Sequence, residues 1–281
     1  MNRSLCFPLV VSLAILGMLM GSSCKSLQQQ AKPEGEEPSS VPVEGCVTIS
    51  VVYDNYQVDS NLSTGWGFGC VIRTPTEVIL FDTGGDGSIL LSNMEKMNID
   101  PKDMDTVVIS HIHGDHVGGL DAFLDRNADV AVYIPASFPD SWRNRIESYG
   151  AEYQDVSSPT RISEGVYTTG EMGTSIKEQS LVVDTKQGLV IITGCAHPGV
   201  LNIAEKAREI LPNRGLYLFM GGFHLSGSSV SELRNIVQGF RNMGIHEVAP
   251  SHCSGDRCRE LFKEEYRKDY INSGVGRKIV L

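Results

Sequence analysis

The densest chemistry in the chain is His111-Ile-His-Gly-Asp-His116, three imidazoles and a carboxylate within six residues. Imidazole suits Zn, Fe, Ni or Cu, and an added carboxylate widens the choice toward Mn or Fe, so the stretch reads as a transition-metal site. It directly follows a strand-like run, Thr106 to Ser110, and precedes a helix-like spacing that begins at Val117. Where the two-residue period of a strand continues, His111 and His113 project to one side and can reach one ion. Gly114 then allows a sharp turn that presents Asp115 and His116 to a second ion. A solvated polar loop, or histidines that act without metal, is the competing account. A chance cluster of this density at the end of a buried strand makes it the poorer one.

Further candidates lie along the chain in a consistent setting, each at the end of an apolar run. They are Asp82 in Leu80-Phe-Asp-Thr-Gly84, His197 in Gly194-Cys-Ala-His, and His252 after Glu247 to Pro250. Together with the cluster at residues 111–116 these pieces resemble, in order, the motifs of the metallo-β-lactamase superfamily, over about Val47 to Leu281. The resemblance implies an α/β fold, an αββα sandwich of two mixed sheets with two divalent transition-metal ions at one edge. Those ions are Zn, with Mn or Fe as alternatives. It places His111, His113 and His197 on one ion and Asp115, His116 and His252 on the other, with Asp82 orienting a ligand histidine by accepting its remaining N–H. A plain turn cap before Gly84 and Gly85 is the other reading of Asp82.

One departure stands out. Many relatives carry an Asp between the third and last motifs that bridges the ions, and no Asp lies between His197 and His252. The interval offers His224 in Gly221-Gly-Phe-His, which is read as a ligand of the second ion, a substrate contact or a structural histidine. Asp54-Asn55, Gly194 to Gly199, Gly221 to Leu225 and Ser251 to Gly255 resemble a narrower subgroup, named for archaeal dihydropterin-ribofuranosylaminobenzene phosphate synthase.

The resemblance implies a hydrolase. Water held between two ions loses a proton near neutral pH, because coordination lowers its pKa from about 15.7 to about 7, and the resulting hydroxide attacks a polarised phosphoryl or acyl group. Asp115 and His224 are the catalytic candidates, Asp115 as a carrier of the proton to the leaving group. A small phosphodiester is the leading substrate class. A lactam or lactone, and a noncatalytic metal-binding or ligand-binding envelope protein, are the alternatives. A di-iron redox role would need a flavin module for which the chain has no room. Cys195 and Cys253 each flank a candidate ligand and are read as packed small residues before a nucleophile or soft ligand. Gly65-Trp-Gly-Phe-Gly69 is expected to be a hairpin turn rather than a dinucleotide loop. No GxSxG elbow or Walker loop is present.

The elements that must carry these groups read as short strands and amphipathic helices. Strand runs are expected at Val47–Tyr53, Cys70–Arg73, Val78–Phe81, Thr106–Ser110, Val130–Ile134, Leu181–Asp184, Leu189–Thr193, Leu216–Met220 and Glu247–Pro250. Helical spacing appears at Leu90/Met94/Met97, Val117/Leu120/Leu124, Val200/Ile203/Ala207/Ile210 and Val230/Leu233/Val237/Phe240, the last with a Ser229/Glu232 capping box. The less regular stretch Pro135–Glu178 is expected to be an insertion overhanging the active site, with Trp142, Tyr149 and Tyr153 as mouth or packing residues.

Composition supports a folded enzyme of this kind. The 281 residues are 41% hydrophobic, enough for a core, and seven cysteines are too few for a disulfide-stapled miniprotein. A net charge of −10 argues against nucleic acid as the default partner, a local basic patch aside, and fits a small-molecule substrate. Arg3, the apolar run Leu9–Met20, Gly21-Ser-Ser and Cys24 resemble a bacterial lipoprotein signal. The expected organisation is a signal over 1–23, a lipidated Cys24 with a polar tether over 24–45, and a hydrolase domain over 46–281. The protein is then exported and anchored in the bacterial cell envelope. The odd five cysteines that remain, Cys46, Cys70, Cys195, Cys253 and Cys258, are read mostly as buried hydrophobes.

Overall fold

A computed structural model describes residues 42–281, which belong to one compact unit. The expected signal, Cys24 and the tether up to residue 41 lie outside the described residues. No described helix is long and apolar enough to cross a membrane.

Most of the strands read as apolar runs because both of their faces are buried. In chain order the elements are β1 (Thr48–Asp54), β2 (Phe68–Arg73), β3 (Val78–Phe81), α1 (Gly87–Lys96), β4 (Thr106–Val108), α2 (Gly114–Val117), α3 (Leu120–Leu124) and β5 (Ala131–Pro135). Then come α4 (Asp140–Ser148), β6 (Glu152–Val156), β7 (Thr160–Ser163), β8 (Val166–Thr168), β9 (Leu181–Thr185) and β10 (Gly188–Thr193). The remainder is α5 (Val200–Ile210), β11 (Leu216–Gly222), α6 (Val230–Asn242), β12 (Glu247–Ser251), α7 (Asp256–Tyr266) and β13 (Lys278–Val280). One sheet has the order β13-β1-β2-β3-β4-β5-β6 and the other β12-β11-β10-β9-β8-β7. Each is mixed: β3 to β6 and β10 to β12 pair in parallel, and the remaining neighbours are antiparallel.

Alternation along the strands builds three apolar layers. Ile79 and Phe81 of β3 meet Val190 and Ile192 of β10 between the sheets. Val78 and Leu80 turn outward to α1 and α3 through Leu90, Met94 and Phe123. Leu189 and Ile191 turn outward to α5, α6 and α7 through Ile203, Phe240 and Phe262. The result is an αββα sandwich, as the motifs imply. The capping box at Ser229 and Glu232 is formed in both directions, and such caps are worth about 1 kcal/mol.

Several expectations are corrected. Pro135–Glu178 is not an overhanging insertion: it supplies α4, the edge strand β6, and β7 and β8, carrying the chain from one sheet to the other. Of the two readings of Trp142, Tyr149 and Tyr153, packing is the one observed: all three lie against the outer helical layer. The helical spacing from Val117 to Leu124 is two short helices. Gly118 and Gly119 separate them, and a Cβ there would stand 2.5 Å from the Gly85 carbonyl oxygen and 2.3 Å from that of Thr83. Packing also begins slightly before residue 46, since Val43 is buried and its N–H donates to the Asp184 carbonyl at 2.8 Å.

Candidate metal centre

The histidines converge where strands of both sheets end. β4 stops at Val108, so strand alternation does not align His111 with His113; a short loop does, ending at the start of α2. Gly114 is the first residue of that helix, and a Cβ on it would meet nothing within 4 Å, so no steric demand for glycine exists there. The loop brings His111 Nε2 to 3.1 Å from His113 Nδ1. From the second sheet, the turn after β10 sets the His197 ring 4.6 Å from that of His111 and 5.0 Å from that of His113. The end of β12 delivers His252, whose Nε2 lies 3.3 Å from Asp115 Oδ2; His116 Nε2 lies 3.7 Å from the same oxygen. The rings of His111 and His116, 4.2 Å apart, join the two sets.

His111, His116, His197 and His252 each have an acceptor behind one ring nitrogen, Ser110 Oγ at 2.9 Å in the case of His111 Nδ1. Asp82, fully buried just after β3, accepts the Ser110 N–H and hydroxyl at 2.7 Å each and lies 2.7 Å from His116 Nδ1. A carboxylate only accepts, so that nitrogen carries the proton and His116 Nε2 is left with its lone pair aimed into the site. Asn55 Oδ1 does the same for His252 Nδ1 at 2.9 Å. Glu178 does it for His197 Nδ1 at 2.8 Å, and also accepts the backbone N–H groups of Cys195, Ala196 and His197 at 2.8–2.9 Å. Burial alone would raise the Glu178 carboxyl, but the bonds from His197 and the nearby histidines outweigh it and hold the group well below the ordinary carboxylate range. Burial, reinforced by neighbouring imidazoles, lowers His111 and His116 to about 3, so both are neutral and able to donate a lone pair at neutral pH.

Sequence reasoning missed Glu178, which it left as the boundary of an irregular segment, and undervalued two thiols. Cys195 Sγ lies 3.2 Å from His116 Nε2 and 3.3 Å from Cys253 Sγ. The hydrogen bond between the two sulfurs pushes the Cys253 thiol down and, with burial, the Cys195 thiol up. Gly65–Gly69 is likewise more than a hairpin turn. It closes the long connection into β2, where a Cβ on Gly67 would stand 2.3 Å from the Asp115 carbonyl oxygen. Trp66 beside it is 60% exposed, with its ring 4.9 Å from His252. His224 is exposed and its ring lies 4.6 Å from that of His197.

The donors fit metal ions. Three groups have their ligand atoms within 4.8 Å of one another: Asp115/His116/Cys195/His252, His111/Cys195/His197 and Cys195/His224/Cys253. His252 Nε2 is buried and makes no hydrogen bond, an arrangement that is costly unless another partner completes it. Four residues around the donors hold left-handed backbone without being glycine: Asp82 (φ 56°), Ala196 (60°), His224 (53°) and His252 (48°). Such strain concentrates at functional sites.

Known proteins point the same way. A 7,8-dihydropterin-6-methyl-4-(β-D-ribofuranosyl)-aminobenzene-5′-phosphate synthase of Methanocaldococcus jannaschii is 26% identical, over 72% of this chain and 83% of its own length. A ribonuclease Z of Pediococcus pentosaceus is 25% identical over 50% of this chain and 47% of its own. The crystal structure of a metal-dependent hydrolase of the β-lactamase superfamily superposes with a TM-score of 0.70 at 29% identity, covering 83% of this chain and 98% of that one. The family model described as the metallo-beta-lactamase superfamily matches residues 70–231, more than half of the sequence. With the sandwich and the clustered donors, that match makes the chain a member of the metallo-beta-lactamase superfamily, a metal-binding hydrolase fold.

Proposed function

We propose that this hydrolase works with two divalent transition-metal ions on a phosphoester of a small molecule, most simply a phosphodiester. One observation carries the reading: the donor atoms of His111 and His197 and those of Asp115, His116 and His252 gather in adjoining groups, with His113 beside His111, and the outer nitrogens of His111, His197, His116 and His252 are met by Ser110, Glu178, Asp82 and Asn55. Ions held there would activate a water and polarise the attacked oxygen. The chain's residues supply the rest. Asp82, Glu178 and Asn55 hold the imidazole protons on the outer nitrogens, so the inner nitrogens stay free. Asp115, with a side chain 22% exposed, is the carboxylate open to the mouth and able to pass a proton to a leaving group. His224 and Trp66, both exposed, flank the opening, where His224 can donate to substrate oxygens and Trp66 offers a flat apolar wall.

The phosphoester preference is supported by the named activities of the relatives, a phosphate-bearing pterin precursor synthase and a ribonuclease, and by the missing bridging Asp. Purified protein repleted with Zn or Mn is expected to hold about two ions per chain. It is expected to hydrolyse a bis-aryl phosphodiester faster than a lactone or a chromogenic lactam. Less than one ion per chain would sink the reading, and a lactone preference would replace it with acyl hydrolysis.

We also propose export and lipid attachment at Cys24 in a bacterial envelope, supported by Arg3, the apolar run Leu9–Met20 and the small residues before the cysteine. Fatty-acid labelling is expected for the native chain and lost in Cys24→Ser. Labelling that persists in the variant overturns it.

A further inference from the structure

The thiol of Cys195 occupies a place that the two-ion reading leaves unfilled. Its sulfur is the atom common to all three donor groups found among the described residues, facing His116, His252 and Asp115 on one side and His111 and His197 on the other. We propose that Cys195 is a thiolate ligand shared by both ions, filling the bridging position for which this chain supplies no aspartate. This rests on the two-ion reading above.

Distance favours coordination. A sulfur and an imidazole nitrogen on one tetrahedral zinc, with bonds of about 2.3 Å and 2.0 Å, stand about 3.5 Å apart. Cys195 Sγ and His116 Nε2 are 3.2 Å apart. No carboxylate beside these donors is free to take the position, among the described residues. Both oxygens of Asp82 are engaged by Ser110 and His116, and both oxygens of Glu178 by the turn at Cys195–His197. Asp115 is directed at His252 and His116 and lies on the second donor group alone. Cys195 is 3% exposed, so a thiolate there needs neighbouring positive charge, which two dications provide.

Cys253 acts on Cys195 as a positioning residue. Its thiol donates toward Cys195 Sγ at 3.3 Å while its own sulfur accepts the His224 N–H at 3.3 Å, which fixes the direction of the remaining Cys195 lone pairs. That approach depends on Gly222, where a Cβ would stand 2.8 Å from Cys253 Sγ and 3.1 Å from His252 Cδ2. Cys195 would hold the ions as a thiolate, its S–H proton passing to water and its freed lone pairs serving as the donors. No oxidant takes part. A shared thiolate selects soft ions, so Zn is preferred over Mn and Mg is excluded.

Cadmium-113 NMR of the full protein loaded with two equivalents of cadmium tests this without an activity assay. Two resonances are expected, both moved downfield by sulfur; both return upfield in Cys195→Ser and stay downfield in Cys253→Ser. A single downfield resonance makes Cys195 a terminal ligand and overturns the bridge. No downfield resonance, or shifts that vanish only in Cys253→Ser, removes Cys195 from the ion pair. Failure to bind cadmium overturns the two-ion reading itself. Where a variant fails to fold, a native spectrum with fewer than two downfield resonances still overturns the bridge.

Discussion

Replacing Glu178 by Gln changes one oxygen to an amide and leaves the shape of the side chain intact, so its consequences can be worked through atom by atom. Oε1 accepts Thr193 Oγ1 at 3.0 Å and the N–H groups of Cys195 and Ala196, while Oε2 accepts His197 N–H and lies 2.8 Å from His197 Nδ1. The amide keeps its oxygen on the side with three donors and turns its NH2 toward His197. The His197 backbone N–H then faces a donor in a dry site, a loss of about 1–3 kcal/mol, and charge-assisted bonds worth about 1.5–3 kcal/mol each become neutral ones. Relief of a buried charge offsets part of this, leaving a net destabilisation of about 3 kcal/mol. For a domain of this size that lowers the melting temperature by about 6–12 °C. The ring responds as well: Nδ1 loses its proton to accept from the amide, Nε2 gains one, and a protonated Nε2 cannot hold an ion. Zinc affinity is expected to fall about 10- to 100-fold. Thermal melts of the metal-free protein and calorimetric zinc titrations measure the two effects separately. A variant that melts like the native protein and binds zinc within twofold of it would refute the assignment of Glu178 as the group that orients His197.

Three further outcomes are expected. Burial raises the Asp54 carboxyl to about 6 against a hydrogen bond from Tyr56 N–H, so the folded chain keeps a proton that the unfolded chain releases near its reference value of 3.8. Stability therefore falls as pH rises from about 4 to about 6 and then levels, by about 3 kcal/mol in all; Asp54→Asn removes this slope in urea unfolding, and parallel curves for the two proteins contradict it. A Cβ on Gly194 would stand 2.2 Å from Ser110 Oγ and 2.8 Å from Asp82 Oδ2, so Gly194→Ala is expected to cost about 1–3 kcal/mol and to weaken ion binding, read by thermal unfolding with and without zinc. Trp66→Ala removes the wall beside His252 and is expected to raise KM for an aryl phosphodiester several-fold with little change in kcat; an unchanged KM places the substrate elsewhere.

What the sequence made legible follows from burial. β3 and β10 are buried on both faces and stand out as apolar runs. β6, Glu-Tyr-Gln-Asp-Val at a sheet edge, is mostly exposed and carries no such signal, and β7 is similarly polar. Helix α7 was recoverable, since Cys258, Leu261, Phe262 and Tyr266 keep helical spacing and all face the core. In the site, the imidazoles are conspicuous by type and crowding. Glu178 is a single carboxylate 19 residues before His197, and only the docking of β9 and β10 brings it beneath that ring. Cys195 had a weak signal, its place two residues before a candidate ligand, which buried cysteines share for many unrelated reasons.

The chain's path through the sandwich also orders events in time. β1 finds its antiparallel partner β13 only when residues 278–280 are available, and Asn55, just beyond β1, waits for His252 to arrive from a position 197 residues later. A chain emerging from its N-terminus therefore displays His111 to His116 long before Glu178, His197 and His252 exist to complete them. On the two-ion proposal, the growing polypeptide would offer only half a donor set. On that proposal, ion selection would be deferred to the moment when both sheets have closed, and occupancy of the centre would report that the whole sandwich has assembled.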